Sequence, residues 1–412
     1  SAKWLEESGI NTIATEVEEN ADGTIASLTL NQTAPAEHPV LRPHRLAVGF
    51  YDEDPATGKI VRTDRFELDV DGESTVVAAA AGKKRPAFIL VNDDDLTYTK
   101  LRFDADSLSF ALANLQHFDD ALARAVVWLS LWDMTRDGDL AAEKFIDTTL
   151  ALLATETEST TFRYALSCMS TTAWHYTAPD RRADVVKHVA KELWKLVIAA
   201  PGGSDQQFQL VTAYLGYGEE GDAEFAEHAQ GLFDGSLIVA GLEIDNNFTW
   251  TIINALSSVK LIDQAGIDAQ LAKRDTTENR EFALGAHAVR GDAAAKEWAW
   301  NEALNNADLT NMQLEAVARG FGATPRPDLA EPYAAKYYDV VDWVWKNKSF
   351  HMAEALLEGL YPYYADPATL VELGHRWLAD HEDADNALKR IVRGNVESSQ
   401  RTLKVRDFNA AL

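Results

Sequence analysis

Ten histidines, one cysteine and 65 acidic residues are the raw material for metal or nucleophilic chemistry in this 412-residue chain, so their spacing decides what they can do. Two imidazoles one helical turn apart with a glutamate beside the first, H-E-x-x-H, hold zinc in zincin hydrolases. The closest string is His381-Glu382-Asp383-Ala384-Asp385, whose second ligand position is an aspartate beside turn-forming residues, so it reads as an exposed polar loop. His351 with Glu354, and Glu372 with His375, stand three apart on helical stretches. A di-iron bundle takes two Glu-x-x-His units and two further carboxylates, and only one of these pairs has that order, so capping or packing explains both better. His38 and His44 flank Pro39-Val40-Leu41-Arg42-Pro43, an extended loop leading into a strand. Cys168 and His175 lie about two helical turns apart, too far for a thiolate–imidazolium pair within one helix, and Cys168 reads as a buried core thiol. There is no G-x-S-x-G string, Walker lysine or glycine-rich phosphate loop.

Asp93, Asp94 and Asp95, after Asn92, form an acidic tip that suits either a cation or a strand-end turn, and the turn is the simpler reading. Trp298, Trp300, Trp343, Trp345 and Trp377 have the chemistry of a sugar groove, but at helical spacing large aromatics are first of all inter-helix core. One charge feature stands out. The last 27 residues hold Lys389, Arg390, Arg393, Arg401, Lys404 and Arg406 against Glu397 and Asp407, a net of +4 in a chain of net charge −27. The plain reading is a basic outer face; the functional one is a receptor for carboxylates, which guanidinium forks bind bidentately.

The elements that position these groups change character near residue 105. Up to that point, short β-branched and apolar runs recur between turn signals: Thr24 to Leu30, Leu46 to Tyr51, Lys59 to Val70, Ser74 to Ala79 and Phe88 to Val91. Their alternation and the breaks at Asp22-Gly23, Asp54-Pro55 and Asp71-Gly72 predict a small antiparallel β-sandwich over 13–105. From Asp106 onward the apolar period is helical, as in Ala121, Ala125, Val126, Trp128, Leu129 and Trp132, with short, cap-bearing breaks. Some 300 residues of consecutive amphipathic helix exceed one simple bundle, so 106–412 is expected to be an α-helical solenoid of HEAT or armadillo type, although no clean sequence period marks it. The fold class is thus α+β and multidomain.

Composition narrows the function classes. With 38 basic residues against 65 acidic ones, the chain repels nucleic-acid phosphates and anionic lipid, so neither nucleic acid nor membrane is an expected partner. No run reaches the ~18 apolar residues of a membrane helix, no signal peptide is evident, and one cysteine precludes an internal disulfide. A cytoplasmic location is the expectation. The opening Ser1-Ala2, without an initiator methionine, suggests a piece of a longer protein.

Several strings resemble one family. Trp4-Leu5 through Gly9, Arg42-Pro43-His44-Arg45-Leu46, Leu90-Val91-Asn92-Asp93-Asp94-Asp95-Leu96-Thr97-Tyr98-Thr99-Lys100, and Arg124 to Met134 with Arg136-Asp137-Gly138 look like the C-terminal half of aminopeptidase N-type zinc metallopeptidases of the actinobacterial branch. The resemblance implies that residues 1–12 are the tail of a catalytic domain or a linker, followed by the small β-sandwich and the helical domain. It also implies that zinc and the catalytic glutamate belong to a preceding catalytic domain, the chain's expected partner, so no catalytic or metal residue and no cofactor is assigned here. In such enzymes the helical domain encloses the active-site chamber, admits peptide substrates by size and supplies basic groups to the peptide's C-terminal carboxylate. Arg390, Arg393, Arg401 and Lys404 are the candidates for that role, chosen by position. Two other readings remain open: a glycan-acting β-sandwich plus α/α-toroid enzyme, with paired carboxyl groups in a tryptophan-lined cleft, and a HEAT-like scaffold for protein partners.

Overall fold

In the computed structural model, Trp4 and residues 6–412 are described. Leu5, in the first of the strings above, and Ser1 to Lys3, in the expected 1–12 tail, lie outside them. Contacts divide the chain into two compact units, one ending at Thr172 and the other spanning Ala173–Ala411.

The first unit opens with β1 (Thr12–Glu19), β2 (Ile25–Thr33), β3 (His44–Glu53), β4 (Ile60–Val70), β5 (Ser74–Val76), β6 (Phe88–Val91) and β7 (Lys100–Arg102). These make a four-stranded sheet ordered β5-β2-β1-β7 and a three-stranded sheet ordered β4-β3-β6. All the expected strands form, the Ser74 run ending at Val76 before a 3₁₀ turn at Ala78–Ala80. The region is antiparallel except that β1 and β7 pair in parallel, Thr12 opposite Lys100. The sequence hid both: Glu16, Glu18 and Glu19 dilute the apolar alternation of β1, and β7 is only three residues long. β3 is the middle strand of its sheet and is buried from Leu46 to Tyr51.

Two of the distinctive strings meet in this unit. His44, the first residue of β3, places Nδ1 2.8 Å from Thr97 Oγ1 and Nε2 3.0 Å from Gln32 Oε1. Arg42 is buried and donates from Nη2 to the carbonyls of Glu7 and Ser8 at 2.7 and 3.0 Å. The acidic tip is a filled one. Asn92, Asp94 and Asp95 take positive φ, and the turn brings Asp93 and Asp94 back onto the sheet while Asp95 stays exposed. Asp93 accepts from Tyr51 Oη at 2.6 Å and Arg62 Nη1 at 2.7 Å, and Asp94 from Arg62 and Arg65, both at 2.8 Å. Arginines occupy the positions a cation would have taken.

Helices follow from residue 105. Completing the first unit are α1 (Ala105–Asn114), which packs on β6, α2 (Ala121–Asp137), which packs on β7, α3 (Ala142–Leu153) and α4 (Ser159–Thr171). A π-helical turn, Thr172–Tyr176, leads on. The second unit contains α5 (Arg182–Ala199), α6 (Asp205–Leu215), α7 (Ala223–Asp234), α8 (Asn246–Ser258), α9 (Gln264–Lys273), α10 (Thr277–Ala288), α11 (Ala293–Asn305) and α12 (Asn311–Gly322). Then come α13 (Ala334–Asn347), α14 (Phe350–Gly359), α15 (Pro367–Asp380) and α16 (Asn386–Ala410). Side-chain caps start most of them: Asp104, Asp120, Ser204, Asp222, Asp245, Asp263, Asp292, Thr310 and Asp366 each accept from a first-turn N–H, which satisfies groups that helix geometry leaves orphaned. No helix among the described residues is long and apolar enough to cross a membrane.

Packing in the second unit joins each helix to a near neighbour, as in α5 with α6, α7 with α8, α10 with α12, α12 with α14, and α15 with α16. One core of this unit runs from Ala288 to Val396 and contains Trp300, Tyr337, Val341, Leu356 and Trp377. A buried ammonium ties part of this core. Lys296 of α11 donates to the carbonyls of Ala288, Phe321 and Gly320 at 2.7, 3.1 and 3.3 Å and also to Thr324 Oγ1. One side chain thereby receives carbonyls from the last turns of both α10 and α12.

Candidate functional site

The candidate groups reside on α16, which starts at Asp385, a cap that accepts from the N–H of Ala387. With 3.6 residues per turn, Arg390, Arg393, Arg401 and Lys404 fall within about 80° of one another around the helix. That face is polar and largely solvated. Arg390 has a side chain 72% exposed, its Nη2 3.8 Å from Glu354 Oε1, while Arg393 and Lys404 are exposed and Arg401 is half-buried. The structure thus brings the four onto one face and leaves them available, but it does not close a pocket around them.

Roughly 160° from Arg390, the opposite face of α16 is buried, and it is unusually polar. Asn395 donates from Nδ2 to Tyr337 Oη at 2.9 Å and accepts from Tyr363 Oη at 2.9 Å; Ser399 Oγ is 2.8 Å from Tyr361 Oη. About two turns further on, Arg406 is only 8% exposed and donates from Nε to the carbonyl of His175 at 2.7 Å. His175 lies in the π-helical turn, and its ring stacks on Tyr364 with centroids 4.7 Å apart. Arg182 begins α5 beside it.

Electrostatics around this second cluster are one-sided. Arg406 Nη2 and Arg182 Nε are buried with no hydrogen-bond partner. Burial, and then repulsion from Arg182, pull the Arg406 guanidinium down to about 10. His175 is pushed down to about 3 by burial and by the two arginines, so its imidazole is neutral. Asp366 and Glu219 are the carboxylates within electrostatic reach, and neither forms an ion pair with either arginine. Glu219 is itself pushed up by burial and by Asp222, and Asp366 is engaged in capping Thr369.

Sequence reasoning listed Arg406 among the basic residues but not among the candidates, and it missed Arg182, His175 and Tyr364. A signal existed for Arg406, which shares the helical face of Leu388, Val392, Asn395 and Ser399. None existed for the others, which meet Arg406 only through tertiary folding, 231 residues apart in the case of His175.

Other sequence candidates resolve as structure. His381 bonds Trp377 O at 2.8 Å and Asp342 Oδ2 at 2.9 Å; His375 Nε2 is 2.9 Å from Gln400 Nε2; His351 is exposed, 3.4 Å from Glu315. Among the described residues no group of three or more His, Cys, Asp or Glu could hold a metal ion. Cys168 is buried. Of the five tryptophans, Trp300 and Trp377 are core, Trp298 and Trp345 pack against it, and Trp343 is exposed, so they do not converge on one groove.

Comparison with known proteins places the chain. It belongs to the family of ERAP1-like C-terminal domains, whose profile matches residues 88–401. It is similar to Aminopeptidase N of Streptomyces lividans, with 34% identity over 417 residues that take in 100% of this chain and 48% of the relative. The chain therefore spans about half the length of the curated relative it matches.

Proposed function

We propose that this chain is the non-catalytic C-terminal part of a zinc-dependent, cytoplasmic aminopeptidase that removes N-terminal residues from peptides. The observation that carries this reading is the end-to-end similarity of the chain to half of an aminopeptidase N. The catalytic segment, with its zinc, is its partner, and the peptide is the shared substrate. In this reading the helices of the second unit stack as HEAT-like pairs, wall the active-site chamber and admit peptides by size. Remote contacts of this kind position the reacting bond at the metal. The exposed basic face of α16, with Arg390, Arg393, Arg401 and Lys404, receives the peptide's C-terminal carboxylate, and the net charge of −27 keeps nucleic acid and anionic membranes away.

The test joins the chain to the catalytic segment of its relative and compares peptides ending in a free acid with the same peptides amidated. Exposed charge pairs contribute about 0.2–1 kcal/mol each, so Arg393→Gln with Arg401→Gln should raise KM for the free-acid peptide by about 2- to 30-fold and leave the amide unchanged. Equal KM changes for both peptides would remove the carboxylate role. Aminoacyl-substrate hydrolysis by the isolated chain, dependent on zinc, would overturn the non-catalytic assignment.

A further inference from the structure

Two like charges within reach of one another, both out of water and neither paired with a carboxylate, are an unfavourable arrangement unless something supplies the opposite charge. Arg406 is in that condition, and Arg182, half-buried with its Nε out of water, lies within electrostatic reach of it. Arg406 is more than nine-tenths buried, and one terminal nitrogen has no acceptor. Arg182 presents a buried Nε in the same condition, and it stands at the start of the 18-residue helix α5, whose first turn has no side-chain cap. The positive end of that helix adds to the two guanidinium charges. His175 and Tyr364, half-buried and stacked, form the part of this cluster that solvent reaches. Neutral His175 offers one N–H donor, and the Tyr364 hydroxyl offers another.

We propose that Arg182, Arg406, His175, Tyr364 and the first turn of α5 form a binding site for one small anion, a carboxylate or a halide. This goes beyond the proposed function and stands independently of it, because it concerns the buried face of α16 and not the exposed basic face. A carboxylate would accept from the paired guanidinium nitrogens, while a halide would sit at the same focus of N–H groups. The two sources share the chemistry and differ in how they reach it: a halide comes from solution, whereas a carboxylate comes from a free acid or from the end of a peptide.

Thermal unfolding of the chain at constant ionic strength tests this, with sodium chloride, sodium acetate and a free-acid tripeptide exchanged in turn for a bulky, weakly coordinating sodium salt. Binding to the folded state alone raises Tm, and an anion at tens of times its Kd should raise it by about 2–4 °C. Arg182→Gln should abolish that rise. The same variant should also unfold at an equal or higher temperature than the parent when no binding anion is present, since it removes a repulsion; that crossing is not produced by a side chain with a packing role alone. Arg182→Lys, which keeps the charge, should retain part of the rise. A response to chloride and acetate alike identifies a small-anion site, and a response to the tripeptide that disappears on amidation identifies a peptide terminus. No rise with any of the three anions, or an equal rise in Arg182→Gln, would overturn the proposal.

Discussion

Arg124 grips Glu156 through two parallel hydrogen bonds, Nε to Oε2 at 2.8 Å and Nη2 to Oε1 at 3.1 Å, with the carboxylate side chain 1% exposed. Glu156 Oε1 also accepts the N–H groups of Thr157 and Glu158, and Arg124 Nη1 donates to the carbonyl of Phe118. The pair therefore closes the turn between α3 and α4 onto the start of α2. Removing one partner of a buried ion pair strands the other, so Arg124→Met should destabilise the first unit by about 3–5 kcal/mol in urea unfolding. An unchanged midpoint would remove the pair from any stabilising role.

The same pair sets an acid limit. Burial works to raise the Glu156 carboxyl, but Arg124 and the two backbone N–H groups outweigh it, and the net shift is downward from 4.5. A depressed folded pKa contributes stability that is present above the unfolded value and is lost as pH falls through the folded one. Glu156→Gln should accordingly flatten the loss of stability below pH about 4.5, read from unfolding midpoints across an acid series.

Gly49 is where the acidic tip meets the sheet. A Cβ there would stand 2.5 Å from Asp93 Oδ2 and 2.8 Å from a ring carbon of Tyr51. Gly49→Ala should therefore cost about 1–3 kcal/mol by overpacking, and Tyr51→Phe, which takes one donor from buried Asp93, a similar amount. Because the two share Asp93, the double variant should fall short of the sum in a double-mutant cycle. Strict additivity would mean that the sites do not communicate.

Lys296 should leave an alkaline signature. Burial pushes its ammonium down to about 7, against 10.5 for an ordinary lysine. Between those values the unfolded chain binds a proton that the folded chain has released, so this group's contribution to stability climbs as pH rises from about 7 to about 10. Lys296→Met should remove that slope. It also leaves four oxygens without their donor, a loss of about 1–3 kcal/mol per uncompensated group. Identical slopes in parent and variant would show that the amine does not titrate there.

Strands and helices were legible in the sequence wherever one face is apolar, because burial imposes a period of 2.0 or 3.6 residues. Thus Leu46 to Tyr51 announced β3, and the capped breaks marked the helices, whereas acidic β1 and three-residue β7 gave too little pattern. At the candidate site the sequence disclosed the basic face of α16, since Arg390, Arg393, Arg401 and Lys404 are local in the chain. It gave no sign that Arg182, His175 and Tyr364 would gather with Arg406, because folding brings them together from 224, 231 and 42 residues earlier in the chain. For Asp93 to Asp95 the sequence favoured a strand-end turn over a cation site, and the fold adds what it could not show, the ion pairs from Arg62 and Arg65 to Asp93 and Asp94.

The bond from Arg406 to His175 has a consequence for synthesis. While the chain is being made, the π-helical turn emerges from the ribosome 231 residues before the guanidinium that closes on it. Asn395 and Ser399 reach Tyr337 and Tyr361 only at the same late stage. Tyr337 and Tyr361 wait 58 and 38 residues for these partners, whereas the π-helical turn waits 231 for Arg406. Vectorial folding can complete the β-sandwich early, but the second unit waits for its last helix, and that interval is when a chaperone has the most to bind.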